Sequence, residues 1–324
     1  MDAAALRRRS IEIIREGQAP TGAYLACPEF PPYRYCWFRD GAFVAEAMSR
    51  VGEVESAEAF FDWCALVLEP RADAVAGGET LHARYTADGE ESAEEWSTFQ
   101  LDGYGLWLWA LARHCERHGR DEEPWLEAIG VTHEYLLRHW DDPCVDWWEE
   151  REGVHAATLA CVLAGLEAVD DDEAADAVAE ALGRATNPLR VDASALVLLA
   201  PLGLCGADDP LLEILEVGLV SDGGGVWRYL GDTYYGGGEW LLLTAMLGLA
   251  HLAAGRVDDA RAKLDWVVRH AEPDGRLPEQ AQEHLQEPRE YERWVERWGP
   301  PASPLLWSHA MFLLLDAELE EAAA

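Results

Sequence analysis

Lysine is almost missing from this chain. Lys263 is the only one in 324 residues, and 25 basic residues face 61 acidic ones for a net charge of −36. That sign disfavours nucleic acid and anionic membranes as partners. Such self-repulsion destabilises a compact state at low salt. The composition suits a halophilic protein in molar salt, where the Debye length shrinks to roughly 3 Å. Paired cysteine is lacking too: Cys27, Cys36, Cys64, Cys115, Cys144, Cys161 and Cys205 are odd in number, scattered, and free of C-x-x-C spacing. Neither a disulfide framework nor a zinc site is indicated, and reduced, mostly buried thiols are expected. No run reaches the roughly 18 apolar residues of a membrane span, and Met1–Gly17 carries Arg7-Arg8-Arg9 but no apolar core of a signal peptide. The expected location is cytoplasmic, with no membrane partner. Clustered Arg/Lys and a glycine-rich phosphate cradle are also absent, which disfavours a phosphorylated substrate.

What the sequence does have is apolar content, 49% of residues, enough for a substantial core. Helical periodicity dominates and β alternation is scarce. Breaks at Gly, Pro and Asp delimit helices at about 3–16, 40–51, 55–69, 101–119, 123–139, 154–169, 172–185, 191–202, 208–219, 238–254, 256–272 and 303–321. The stretch 281–302 fits no element securely and is expected to be a lid-like loop or a short extra helix. Helices at 101–119, 154–169, 191–202, 238–254 and 303–321 are apolar nearly all round. Those at 55–69, 123–139, 172–185, 208–219 and 256–272 have charged faces. Apolar helices must be buried and amphipathic ones must cover them, so the expected fold is all-α, an (α/α)6 barrel of six inner and six outer helices. An α-solenoid alternates in the same way, but no fixed repeat is found. No Pro/Gly/Ser linker divides the chain, so residues 1–324 are expected to form one domain.

The inner helices of such a barrel run parallel, and the loops leading into them should converge at one mouth. Those loops carry Tyr33, Tyr35, Trp37, Arg39 and Asp40; then Trp96, Gln100 and Asp102; then Trp148, Glu149, Glu150 and Arg151. Further along come Arg228, Asp232, Tyr234, Tyr235 and Trp240; Gly275 to Gln280, including Glu279; and Trp307. Aromatic faces stack on the C–H face of a sugar, while Asp, Glu and Arg bind its hydroxyls. Two glutamates 130 residues apart, Glu149 and Glu279, suit a pair of carboxyls of which one gives a proton and the other takes one.

Six segments in order resemble glycoside hydrolase family 15, the glucoamylases with their glucodextranase and trehalase relatives. They are Y-x-Y-x-W-x-R-D at Tyr33–Asp40, W-x3-Q-x-D-G from Trp96, Trp148-Glu149-Glu150, R-Y-x-x-D-T-Y-Y-x4-W from Arg228, Gly275-x-x-x-Glu279-Gln280, and Trp307-Ser308. The resemblance spans about residues 20–320. It implies that Glu149 is the general acid and Glu279 the general base of an inverting, exo-acting α-glucosidase. That enzyme would release β-glucose from α-linked gluco-oligosaccharides or polysaccharides, without metal or organic cofactor. Tyr33, Tyr35, Trp37, Arg39, Asp40, Trp96, Asp102, Trp148, Glu150, Arg228, Asp232, Trp240 and Trp307 would bind substrate. A trehalase, an exo-α-1,6-glucosidase and a non-catalytic glucan-binding barrel are the alternatives. Three positions depart from the family pattern: Ala281-Gln282 replaces Tyr-Asp, Glu239 stands where proline is common, and Thr98-Phe99 replaces Arg-Pro. His155 and His309 are expected to be structural.

Overall fold

The computed structural model describes residues 1–92, 96, 99–185, 191–206 and 209–323. Ser97 and Thr98 of the W-x3-Q-x-D-G segment, and Asp208 at the start of the expected 208–219 helix, lie outside the described residues. In chain order the helices are α1 (Ala3–Gly17), α2 (Phe38–Arg50), α3 (Val54–Leu68), α4 (Ala72–Ala76), α5 (Asp102–His118), α6 (Leu126–His139), α7 (Ala156–Ala168) and α8 (Asp172–Ala185). There follow α9 (Leu196–Leu199), α10 (Leu211–Leu219), α11 (Leu241–Ala253), α12 (Val257–Arg269), α13 (Pro288–Trp298) and α14 (Leu306–Ala322). The strands among the described residues are two-residue antiparallel ladders: β1 (Cys36–Trp37) with β2 (Arg84–Tyr85), β3 (Cys144–Val145) with β4 (Glu152–Gly153), and β5 (Glu239–Trp240) with β6 (Gln280–Ala281). No helix among the described residues is long and apolar enough to cross a membrane. None of the seven cysteines is in a disulfide, and all but the half-buried Cys205 are buried.

The chain forms two compact units: Arg15–Ala26 with Pro32–Asn187, here the Glu149 unit, and Met1–Ile14 with Cys27–Pro31 and Pro188–Ala324, here the Glu279 unit. In the Glu149 unit α5 packs against both α2 and α7, and these three helices are buried along most of their length. Glycine sets how closely they approach. A Cβ on Gly105 would stand 2.0 Å from the Cys161 carbonyl oxygen, and one on Gly103 would stand 2.6 Å from the Arg39 backbone nitrogen. A methyl at either place would force the helices apart. The outer helices behave as their charge pattern predicts: α8 buries only Ala175, Val178 and Leu182, spaced three and four apart.

In the Glu279 unit α11 packs on α14, and α12 flanks both. The expected inner helix at 191–202 is the main correction. It is a 3-10 turn, Ala193–Ala195, followed by the single turn of α9. Pro201, which has no N–H to continue a helix, and Gly203 at φ 67° stop it there. Its leucines and Val197 are buried all the same, so the apolar pattern reported burial rather than helix length. Within 281–302 the helix alternative holds: α13 lies there with no buried residue, tied down where the Trp294 indole donates to the Thr233 carbonyl at 2.9 Å. The short α4 was not anticipated.

Candidate active site

Glu149 sits at the tip of the β3–β4 hairpin with φ 61°, a left-handed conformation that a non-glycine residue adopts only when its surroundings enforce it. Asp146 does the enforcing. Its carbonyl accepts from the Glu149 N–H at 2.9 Å, and its Oδ1 accepts from the N–H groups of Glu150 at 2.9 Å and Arg151 at 3.3 Å. The turned-back side chain meets three donors. The Trp37 indole donates to Oε1 at 2.8 Å, Gln100 Nε2 donates to Oε1 at 3.2 Å, and the Trp96 indole donates to Oε2 at 2.7 Å.

Ladder β1–β2 and the first turns of α2 and α5 supply the rest. Arg39 donates to Gln100 Oε1 at 2.8 Å and pairs with Asp102 at 2.9 Å; Asp40 stands 3.5 Å from its Nε. Arg84, on β2, lies over the rings of Trp96 at 4.1 Å, Tyr35 at 4.2 Å and Trp37 at 5.0 Å. Tyr33, Tyr35 and Trp96 pack on Trp37. Asp40 and Asp102 thus share the Arg39 guanidinium, while Arg39 and Arg84 both act on Glu149. Burial raises the Glu149 pKa above the ordinary carboxyl value, against the pull of Arg39, the two indoles and Arg84. Burial, helped by Glu149 and Asp102 and opposed by Arg39, pushes Asp40 up to about 7. A protonated carboxyl under aromatic walls can deliver its proton to a bound ligand.

The Glu279 unit builds a second cluster. Arg228 forms a bidentate pair with Asp232, with both contacts at 2.7 Å, and is flanked by Tyr229, Tyr234 and Trp240 at 5.1–5.3 Å. Asp232 also accepts from the Tyr234 N–H at 2.9 Å. Glu279 is buried, and its loop is fastened residue by residue. The Leu277 N–H donates to His309 Nε2 at 3.0 Å, Ser308 Oγ donates to the Pro278 carbonyl at 2.9 Å, and the Glu279 N–H donates to the Ala302 carbonyl at 2.8 Å. His309 lies 2.8 Å from Ser10 through Nδ1, and burial pushes its pKa down to about 3, so it stays neutral. That is the structural histidine expected. Burial and Glu279 raise the Tyr235 phenol, which donates to the Gly299 carbonyl at 2.9 Å.

Most residues singled out in the sequence therefore fall into these two clusters, each within its own unit. The exceptions are instructive. Trp148 is half-buried and edge-on to Trp147, Glu150 is exposed, and Trp307 is buried in the first turn of α14. Sequence reasoning missed Arg84, Asp146 and Trp147, which lies beneath Arg39 at 5.8 Å. Arg84 belongs to no motif. Asp146 carried a usable signal, an acidic residue three before the glutamate in a short hairpin, which suits an Asx turn.

The family model described as glycosyl hydrolases family 15 matches residues 4–186. An isomaltose glucohydrolase from Kribbella flavida is 40% identical over 355 residues, covering 97% of this chain and 92% of its own. A glycosidase solved as a glutamate-to-alanine variant in complex with glucose is 39% identical with a TM-score of 0.91, covering 98% of this chain and 97% of its own. A bacterial glucoamylase solved with acarbose, at 21% identity and a TM-score of 0.74 over 98% of this chain and 55% of its own, shares the fold. With the helical architecture, these likenesses give the all-α (α/α)6 barrel fold. The chain belongs to glycosyl hydrolase family 15 and is a glycoside hydrolase.

Proposed function

We propose that this enzyme is an inverting, exo-acting α-glucosidase, that residues 1–324 act as one catalytic domain, and that the α-1,6 bond of isomaltose is its preferred target. The observation that carries the catalytic reading is Glu149: a carboxyl raised in pKa by burial, held by two indole N–H groups on an enforced left-handed turn. Glu149 protonates the glycosidic oxygen as the bond breaks. Glu279 takes a proton from water attacking the anomeric carbon on the opposite face, and glucose leaves as the β anomer. Inversion needs room for that water beside the scissile bond. Arg39, Asp40 and Asp102, with Arg228 and Asp232, bind sugar hydroxyls; Trp37, Trp96 and Trp240 supply stacking faces.

The α-1,6 preference is supported by the 40% identity to the isomaltose glucohydrolase over 97% of the chain. Hydrolysis of maltooligosaccharides is the second reading, favoured by the glucoamylase-like motifs. Incubation with isomaltose, maltose, maltotriose and trehalose in molar KCl, with product anomers followed by proton NMR, tests both. β-Glucose should appear first, with the highest kcat/KM on isomaltose. Initial α-glucose would overturn inversion, a preference for maltotriose or trehalose would overturn the linkage, and no turnover of any would overturn the whole reading.

A further inference from the structure

The Glu279 unit also brings Glu239, His270 and Glu283 together, one possible ligand atom of each lying within 4.8 Å of the others. They come from separate places: the first residue of β5, the residue closing α12, and the loop after β6. Glu239 is completely buried. Its Oε1 accepts from Ser221 Oγ and from the Gly225 N–H at 3.1 Å, while Oε2 is buried and accepts from nothing among the described residues. The neighbouring ammonium of Lys263 is directed to the Gly224 carbonyl at 2.7 Å.

His270 is oriented from behind. Its Nδ1 lies 2.7 Å from the Trp266 carbonyl and so carries a proton, and the Trp266 indole stacks on the ring with centroids 3.8 Å apart. Nε2 points the other way, 2.6 Å from Glu283 Oε2. A histidine whose far nitrogen donates to a backbone carbonyl while the near one faces carboxylates has the support that metal-ligating histidines use. An imidazolium–Glu283 ion pair would explain the near contact. It would leave the inner oxygen of Glu239 buried without an acceptor's role, a costly arrangement.

We propose that Glu239, His270 and Glu283 bind one divalent transition-metal ion, with Zn2+ the best match, and that the ion is structural. One imidazole and two carboxylates, completed by water, suit tetrahedral zinc; calcium and magnesium prefer oxygen alone. Glu283 is exposed and free to adjust its rotamer as the ligands settle around the ion. Because β5 pairs with β6 directly after Glu279, the ion would clamp α12 to the ladder that continues from that glutamate.

The test uses the whole protein, stripped with EDTA and kept in molar KCl so that adsorption to the acidic surface is screened. Zinc chloride is titrated by calorimetry, and Co2+ is added as a spectroscopic probe of tetrahedral coordination. The expected result is one Zn2+ per chain, a rise in Tm on binding, and at least about tenfold weaker binding in both His270→Gln and Glu283→Gln. Glu283 is on the surface, so its variant keeps the fold. Absence of stoichiometric binding, or unchanged affinity in either variant, overturns the proposal.

Discussion

Replacing Glu149 by glutamine separates chemistry from architecture, and the structure sets the size of both effects. Oε1 accepts from Trp37 and Gln100, and Oε2 accepts from Trp96. An amide offers one acceptor oxygen and one NH2. In either flip, an indole N–H that now has an acceptor faces a donor instead. Losing one such bond in a buried setting costs about 1–3 kcal/mol, against a total stability of about 5–15 kcal/mol. The variant should fold, with a Tm lowered by a few degrees. Catalysis suffers more. A positioned general acid contributes ~10²–10⁴-fold, equivalent to about 3–5 kcal/mol of barrier. The assay compares kcat on isomaltose with kcat on α-glucosyl fluoride, whose leaving group departs without a proton. Turnover of isomaltose should fall by that factor and turnover of the fluoride far less. Equal losses on both substrates, or near wild-type turnover of isomaltose, would remove Glu149 from the proton-donor role.

Two further outcomes are expected. Asp40 is raised from 3.8 to about 7 in the fold, so the stability it contributes is present below its unfolded pKa and lost as pH rises through about 7. The Tm of Asp40→Asn relative to wild type should therefore shift in the variant's favour between about pH 4 and pH 8, and parallel Tm–pH curves would contradict this. With −36 net charge, Tm and activity should both climb from dilute buffer to molar KCl as carboxylate repulsion is screened; a flat Tm would remove the halophilic reading.

The helices were legible because burial leaves a periodic mark. The apolar runs at 101–119, 154–169, 238–254 and 303–321 became α5, α7, α11 and α14 with ends within a few residues. The run at 191–202 carried the same composition but a different local outcome, since Pro201 and Gly203 outweighed its leucines. Within the candidate site, residues embedded in spaced motifs, such as Trp37, Arg39 and Asp232, could be read directly. Arg84 could not, because its role arises from the β1–β2 pairing that slides its guanidinium between Tyr35 and Trp96. That is a tertiary relation between segments with no shared pattern. Asp146 lay between, hidden in a stretch where acidic residues are common.

The loop bearing Glu279 is not anchored only by its own neighbourhood. Leu277 hangs from His309, and His309 in turn rests on Ser10 in the first helix. Two contacts therefore connect Ser10 of α1 to the backbone just ahead of the buried carboxylate. The first helix behaves as a keystone rather than an appendage: losing Ser10, or fusing a rigid partner into α1, would disturb the posture of a glutamate some 270 positions downstream. During synthesis on the ribosome, that carboxylate cannot reach its final setting until Ser10 and His309 have both emerged and met.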